Sequence, residues 1–235
     1  MIVQLLTGAL ALVALVFSVS VFASRWTQMQ KLPFAQDRSI PKDSATKGML
    51  YAFTLGMAPW AKESTRIHAI AYTRGIVFHI GIFAGLAALL ASPWFDLIAF
   101  EIRVALSALT ALGAVMGVAG ALMRVVEHNL KAISTPDDHA SVWLVTIFLA
   151  AMTAALVAPA FVPAMWIVAA AMLAYAPFGK IRHCIYFYFG RLFFGIHIGR
   201  RGVVSGLIEH ALRPERSRRA HPERSRRVCA EVKRG

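Results

Sequence analysis

The sequence predicts an all-α integral membrane protein: a bundle of five transmembrane helices followed by a basic, disordered C-terminal tail. Of its 235 residues, 58% are hydrophobic and only 16% are charged, whereas soluble domains are about 45–50% apolar and about 25% charged. The apolar residues are concentrated in blocks, and the links between the blocks differ in charge. We therefore divide the chain into a membrane domain at 1–202 and a low-complexity tail at 203–235.

Five apolar segments form the predicted bundle. A helix needs about 20 apolar residues to cross roughly 30 Å of hydrocarbon. The second and fifth segments are shorter, and we expect Tyr72, Arg74, Lys180 and Arg182 to extend them as interfacial anchors. The predicted spans are residues 2–23, 75–91, 104–123, 142–157 and 164–178.

The charges of the links predict the orientation. Positive residues from Arg25 to Lys47 follow the first span, and the positive-inside rule places such a loop in the cytoplasm. No positive residue precedes that span, so we interpret it as a retained anchor rather than a signal peptide. Asp96 and Glu101 place the link after the second span outside. The N-terminus is thus predicted outside and the C-terminus in the cytoplasm, across the cytoplasmic (inner) membrane of a bacterium or archaeon.

Two motifs within the bundle have structural interpretations. Proline and acidic residues after Thr135, at Pro136, Asp137 and Asp138, are typical of a helix start, and we assign them no chemistry. The spacing Gly113-x-x-x-Gly117 favours close packing between helices over a cofactor site.

The cysteines exclude several cofactor classes. Cys184 and Cys229 cannot build a disulfide framework, and no C-x-x-C-H sequence attaches a haem covalently. No C-x-x-C cluster indicates an iron–sulfur centre. Any haem must therefore be held by axial ligands and packing.

Two of the eight histidines are candidate haem ligands. His79 lies about one turn inside the second span, and His183 lies at the same, cytoplasmic, end of the fifth. An ionisable side chain at membrane depth is costly and usually functional. Neutral imidazoles at matching depth on antiparallel helices can bind one haem iron from both sides. Because Gly81 and Gly85 are small, we expect them to leave room for the macrocycle beside His79.

Other interpretations of the histidines stay open. His79 can be a neutral side chain bonded to a neighbouring helix, and His183 an interfacial residue. His68 and His197 form a rival or additional ligand pair, since each falls near the same helical face as one member of the first pair. Both, however, lie beyond the apolar runs. We expect the remaining histidines to be solvated: His128, His139, His210 and His221.

Two segments after the last span are rich in basic residues. Residues 184–202 combine aromatic side chains with arginines such as Arg191, as in a helix along the inner membrane face, and offer a docking surface to a cytoplasmic partner. Within the tail, residues 213–235 hold nine basic and three acidic residues in an imperfect eight-residue repeat, which predicts disorder. We favour a solvated extension over an anionic-lipid or nucleic-acid patch, and we expect no nucleic-acid partner.

Four stretches of the chain resemble one family of membrane cytochromes. They are Pro59-Trp-Ala-Lys-Glu-Ser-Thr-Arg-Ile-His68, Gly75-Ile-Val-Phe-His-Ile-Gly-Ile-Phe83, Ile133-Ser-Thr-Pro-Asp-Asp138 and Pro177-Phe-Gly-Lys-Ile-Arg-His183. Through them, residues 1–202 resemble the cytochrome b gamma subunit of respiratory nitrate reductases. The similarity is greater to the membrane subunits that accompany heterodisulfide-reductase-like and sulfite-reduction-associated iron–sulfur complexes.

The resemblance implies the quinone-reactive subunit of a multi-subunit oxidoreductase. Such a subunit exchanges electrons between menaquinone or ubiquinone and a cytoplasmic iron–sulfur subunit through haem b. His79 and His183 match the family's ligands for the haem nearer the cytoplasm. We expect Lys180 and Arg182 to pair with the propionates of that haem.

The family's second haem, nearer the outer face, is not supported by the residues. Its ligands correspond here to positions near Leu89 and Met165, and neither is histidine. The resemblance therefore supports one haem, and the quinone site beside the outer haem has no residues assigned to it.

Two other functions remain open. The chain can be a haem-free membrane anchor for a cytoplasmic complex, or a transporter of small solutes that uses His79 in a proton relay. The sequence shows no internal repeat of spans, which disfavours transport.

Overall fold

The computed structural model describes residues 2–33, 37, 39–61 and 68–212, and within them every regular element is helical. Short 3₁₀ turns occur at Leu55–Met57, Ser92–Leu97, Pro159–Phe161 and Lys180–Arg182. The described residues form nine α-helices: α1 (Ile2–Lys31), α2 (Ala45–Phe53), α3 (Ala69–Ala91), α4 (Phe100–Val126), α5 (His128–Ile133), α6 (Pro136–Val157), α7 (Val162–Tyr175), α8 (His183–Arg200) and α9 (Val204–Leu212).

Four of the described helices, α1, α3, α4 and α6, are long and apolar enough to cross a membrane. A fifth span exists only if the segments Pro159–Tyr175 and Lys180–Arg200, bent by 71° at a break, are taken as one. The long apolar helices indicate a multi-pass membrane protein, as predicted. The predicted fifth span at 164–178 differs, because α7 ends at Tyr175.

The break after α7 has a local cause. Pro177 is fully buried and has no backbone N–H to extend the helical hydrogen bonds. Gly179 lies against the ring of Tyr175, so that a Cβ atom there would lie 2.3 Å from Tyr175 Cε1. The chain therefore leaves α7, turns, and begins α8 at His183.

The chain divides into two compact units, of which the first comprises Met1–Leu32 and Thr73–Tyr186. In this unit α6 packs against both α4 and α7, and α7 packs against α1. Side chains with no solvent exposure form the centre of the core, at Phe148, Leu149, Met152 and Met165.

Glycines bring α3, α4 and α6 into close contact. A Cβ atom on Gly81 would lie 2.7 Å from the Cα of Gly113, and one on Gly117 would lie 2.2 Å from Thr146 Oγ1. The packing predicted for Gly113 and Gly117 is confirmed. Gly81 takes part in the same contact, so the backbone of Gly113 occupies the space that a side chain on Gly81 would need.

The second unit comprises Pro33–Tyr72 and Phe187–Gly235. The N–H of Lys42 donates to the carbonyl of Arg200 at 2.7 Å, and Arg201 pairs with Asp37 at 3.3 Å. The hydroxyl and N–H of Ser39, and then the guanidinium of Arg201, lower the pKa of Asp37 to about 2. The predicted tail at 203–235 begins with helix α9, and residues 213–235 lie outside the described part.

Candidate functional site

His79 projects from the exposed face of α3. Its Nδ1 lies 2.7 Å from the carbonyl oxygen of Gly75, one turn earlier. Because a carbonyl can only accept, Nδ1 carries the hydrogen and the lone pair belongs to Nε2. A Cβ atom added at Gly75 would meet nothing within 4 Å. The imidazole is thus fixed to its own helix, with Nε2 available to a ligand.

His183 has the same arrangement on a different backbone. It is exposed at the first position of α8, and its Nδ1 lies 2.7 Å from the carbonyl oxygen of Lys180. By the same argument, Nδ1 donates and Nε2 carries the lone pair. Histidines that bind metals usually donate their other ring N–H to a carbonyl or carboxylate, which fixes the tautomer and the ring orientation.

The rings of His79 and His183 lie next to one another. Their centroids are 6.1 Å apart, and their planes make an angle of 84°. Two metal–nitrogen bonds of about 2 Å each, extended to the centres of two five-membered rings, give a centroid separation of roughly 6 Å. The separation and the two anchored Nδ1 atoms fit a pair of axial haem ligands. The ligand role itself stays a prediction.

Gly81 and Gly85, which were expected to leave space beside His79, are packed against neighbouring helices. Gly81 packs on Gly113, and a Cβ on Gly85 would lie 2.9 Å from Leu149 Cδ2. Both glycines are buried, whereas His79 lies on the exposed face of α3. The expectation that Gly81 and Gly85 make room for a macrocycle was therefore wrong, because neighbouring helices fill that room.

A buried carboxylate at the start of α6 fixes the turn that carries His183. The predicted helix start is confirmed as a capping box, in which Asp138 Oδ2 accepts from the N–H and hydroxyl of Thr135, both at 2.8 Å. The same oxygen lies 2.6 Å from Lys180 Nζ. Asp138 Oδ1 lies 3.7 Å from Arg124 Nη1.

One signal for this network is present in the sequence, the pattern from Thr135 to Asp138, and by itself it indicates only a helix cap. Asp138 is separated from Lys180 by 42 residues, so no local pattern pairs them. Lys180 was expected to meet a haem propionate. The structure pairs its ammonium with Asp138 instead, and Arg182 is exposed.

The second candidate pair, His68 and His197, has a different environment. The side chain of His68 is exposed and that of His197 is half-buried, and the ring of His197 packs on Phe193 with centroids 4.0 Å apart. His197 Nδ1 lies 2.8 Å from the carbonyl oxygen of Phe193. Within the described residues, no ring contact joins His68 to His197. Their role as ligands stays a prediction.

Leu89 and Met165, the positions that correspond to an outer haem, are core residues. Leu89 is 7% exposed and Met165 is 0% exposed, and both belong to the main hydrophobic cluster of the first unit. No group of three or more histidine, cysteine or acidic residues that could hold a metal ion occurs among the described residues.

Comparisons with known proteins give no independent identification. No protein-family model, no curated protein and no solved structure matches the chain.

Proposed function

We propose that the chain is a membrane-bound b-type cytochrome subunit that passes electrons between the quinone pool and a cytoplasmic iron–sulfur partner. One observation carries the proposal: the imidazoles of His79 and His183 lie 6.1 Å apart, and each is anchored through Nδ1 to a backbone carbonyl. Two such histidines are the usual donor set for a low-spin haem b.

The protein's own residues have defined tasks in this proposal. His79 and His183 present Nε2 from two separate elements, so that a haem is held between α3 and the start of α8. The carbonyls of Gly75 and Lys180 keep each ring in the tautomer that can bind a metal. A haem held there supplies a one-electron redox couple. We assign one haem, because the side chains of Leu89, near the other end of α3, and of Met165 in α7 fill the core.

The proposed orientation places the histidines at the cytoplasmic side. Basic residues such as Arg25 and Lys31 at the end of α1 support a cytoplasmic first loop. The N-terminus is then outside, and electrons can be exchanged with a partner on the inner face of a bacterial or archaeal membrane.

The identity of the redox partners is supported by the sequence resemblance. It favours menaquinone or ubiquinone as the substrate within the membrane and an iron–sulfur subunit in the cytoplasm. Residues 184–202 offer a basic and aromatic surface for such a subunit, as at Arg191, whose guanidinium lies 5.7 Å from the centroid of the Phe187 ring.

The absorption spectrum of the purified, dithionite-reduced protein tests the proposal. We expect a b-type α-band and about one haem per polypeptide in a pyridine haemochrome assay. His79→Ala and His183→Ala should each abolish the band, because removal of either ligand leaves the iron without its bis-histidine coordination. His128→Ala is the matched control, since His128 is exposed at the start of α5.

Other outcomes separate the alternatives. A band that survives both substitutions but is lost in His68→Ala and His197→Ala would move the haem to the second pair. Absence of haem from the intact protein would overturn the proposal and leave the anchor and the transporter. Proton-coupled solute uptake into vesicles, lost in His79→Ala, would then identify a transporter.

A further inference from the structure

We propose that Asp138 is a positioning residue for His183 and acts through Lys180; the inference rests on the proposed haem function. Its contacts reach the histidine through Lys180. Asp138 Oδ2 lies 2.6 Å from Lys180 Nζ, and the carbonyl oxygen of Lys180 lies 2.7 Å from His183 Nδ1. The start of α6 therefore holds the residue whose backbone orients the imidazole.

His183 requires outside support more than His79 does. The carbonyl that anchors His79 lies within the long helix α3. The carbonyl that anchors His183 belongs to the 3₁₀ turn Lys180–Arg182, which spans only three residues between α7 and α8. Such short turns have poorer hydrogen-bond geometry than an α-helix. A side-chain contact from another helix supplies the missing constraint.

The backbone before His183 is held at two points by neighbouring carboxylates. Before the turn, the hydroxyl of Tyr175 donates to Asp137. Within the turn, Lys180 pairs with Asp138. Asp137 and Asp138, two consecutive residues of α6, thus fix the backbone that leads into His183. Gly179, between Tyr175 and Lys180 in the chain, lies under the Tyr175 ring.

Helix capping alone does not account for Asp138. The bonds to the N–H and hydroxyl of Thr135 complete the cap. Asp138 is also buried, with only 8% of its surface exposed, and its carboxylate has two cationic neighbours, Lys180 and Arg124. The Asp138 carboxylate is buried while the Lys180 side chain is 49% exposed, so loss of the cation leaves a buried carboxylate with one partner fewer.

A set of three variants distinguishes positioning from a simple charge effect. Asp138→Asn keeps an oxygen to cap Thr135 but removes the anion, and Lys180→Met removes the cation and leaves the cap intact. If the pair acted only by its charge, the two variants would shift the haem midpoint potential in opposite directions, and the double variant would restore it. If it positions His183, all three variants weaken haem binding alike, because each removes the same ion pair between Asp138 and Lys180.

The first measurement is the rate at which the full-length, haem-loaded protein loses haem to an excess of apomyoglobin. The second is the midpoint potential of the haem from a spectroelectrochemical titration. We expect haem loss to be roughly tenfold faster in each single variant and in the double variant, at the low end of the effect of groups that orient metal ligands. Lys180→Arg, which keeps a donor for Asp138, should stay near the wild-type rate. Lys131→Met is the control, because Lys131 is an exposed lysine of α5.

The outcomes separate this inference from the proposed function. Wild-type protein without haem overturns both. Wild-type protein with haem, whose loss rate is unchanged in Asp138→Asn and Lys180→Met, overturns the positioning role and leaves the cytochrome proposal intact. Opposite shifts of the potential that cancel in the double variant, with unchanged haem loss, also overturn positioning, since they show an effect of charge alone.

Discussion

The two ends of the first unit differ in what their side chains are free to do. At one end, His79 and His183 are exposed, their ring centroids are 6.1 Å apart, and each ring is anchored by a backbone carbonyl. At the other end, Leu89 and Met165 are buried in the core, and Trp166 Nε1 donates to Ser92 Oγ at 2.8 Å.

The difference shows how one bundle separates a ligand site from a structural core. The end with the histidines holds its polar groups by hydrogen bonds and an ion pair, and each imidazole there bonds a backbone carbonyl through Nδ1. The opposite end uses its side chains to fill volume, and Trp166 and Ser92 bond to one another there. A haem at the opposite end would need space that the core side chains already occupy.

The largest expected contrast comes from truncating one residue at each end. His79→Ala should abolish haem binding with little change in the unfolding temperature of the haem-free protein, because the side chain is exposed. Met165→Ala should keep the haem but lower the free energy of unfolding by about 2–5 kcal/mol, the usual cost of removing a fully buried methionine side chain. Haem content and thermal unfolding in detergent, followed by circular dichroism, measure both effects. The comparison fails if Met165→Ala releases haem below its unfolding temperature.

A smaller effect is expected where α3 and α4 meet, between the two ends of the first unit. A Cβ on Gly113 would lie 2.9 Å from the Cα of Gly81 and 3.1 Å from Leu149 Cδ1, so Gly113→Ala should destabilise the bundle by about 1–3 kcal/mol. Gly120→Ala, on the same helix, would meet Arg74 only at 3.7 Å, and should be neutral or stabilising by up to about 1 kcal/mol. Equal unfolding temperatures for the two variants would contradict the close helix contact.

The smallest expected effect concerns the hydrogen bond at the closed end. Trp166→Phe removes the donor to Ser92 Oγ, which still bonds the carbonyl of Leu89 at 2.7 Å. We expect a loss of about 1 kcal/mol and no change in the haem spectrum or midpoint potential. Trp143→Phe serves as the control, because Trp143 is 40% exposed. A changed midpoint potential in Trp166→Phe would show that this end communicates with the redox site.

Features set by local sequence were predictable. The apolar runs gave α1, α3, α4 and α6, and the pattern from Thr135 to Asp138 gave the start of α6, because hydropathy and capping act over a few residues. The proximity of His79 and His183 followed from matching their depths on antiparallel spans, which requires only the helical rise and the topology.

Features that depend on distant contacts were not predictable. The end of α7 at Tyr175 is an exception with a local cause at Pro177 and Gly179, which the apolar pattern hides because it continues to residue 178. The Asp138–Lys180 pair and the contact of Gly81 with Gly113 each join different helices. Charge and spacing gave no information on which of several cations or glycines would meet.

The shortness of α7 has a consequence for the lipid that surrounds it. Its 14 residues extend about 21 Å, whereas the hydrocarbon layer is roughly 30 Å thick. Its neighbour α1 has 30 residues, whereas α7 is a candidate span only together with the segment Lys180–Arg200 beyond the 71° bend. If α7 crosses the hydrocarbon alone, the acyl chains beside it thin or the loop that precedes His183 sinks below the headgroups. Short-chain phospholipids relieve this mismatch, so the set of lipids that copurifies with the protein should be enriched in them.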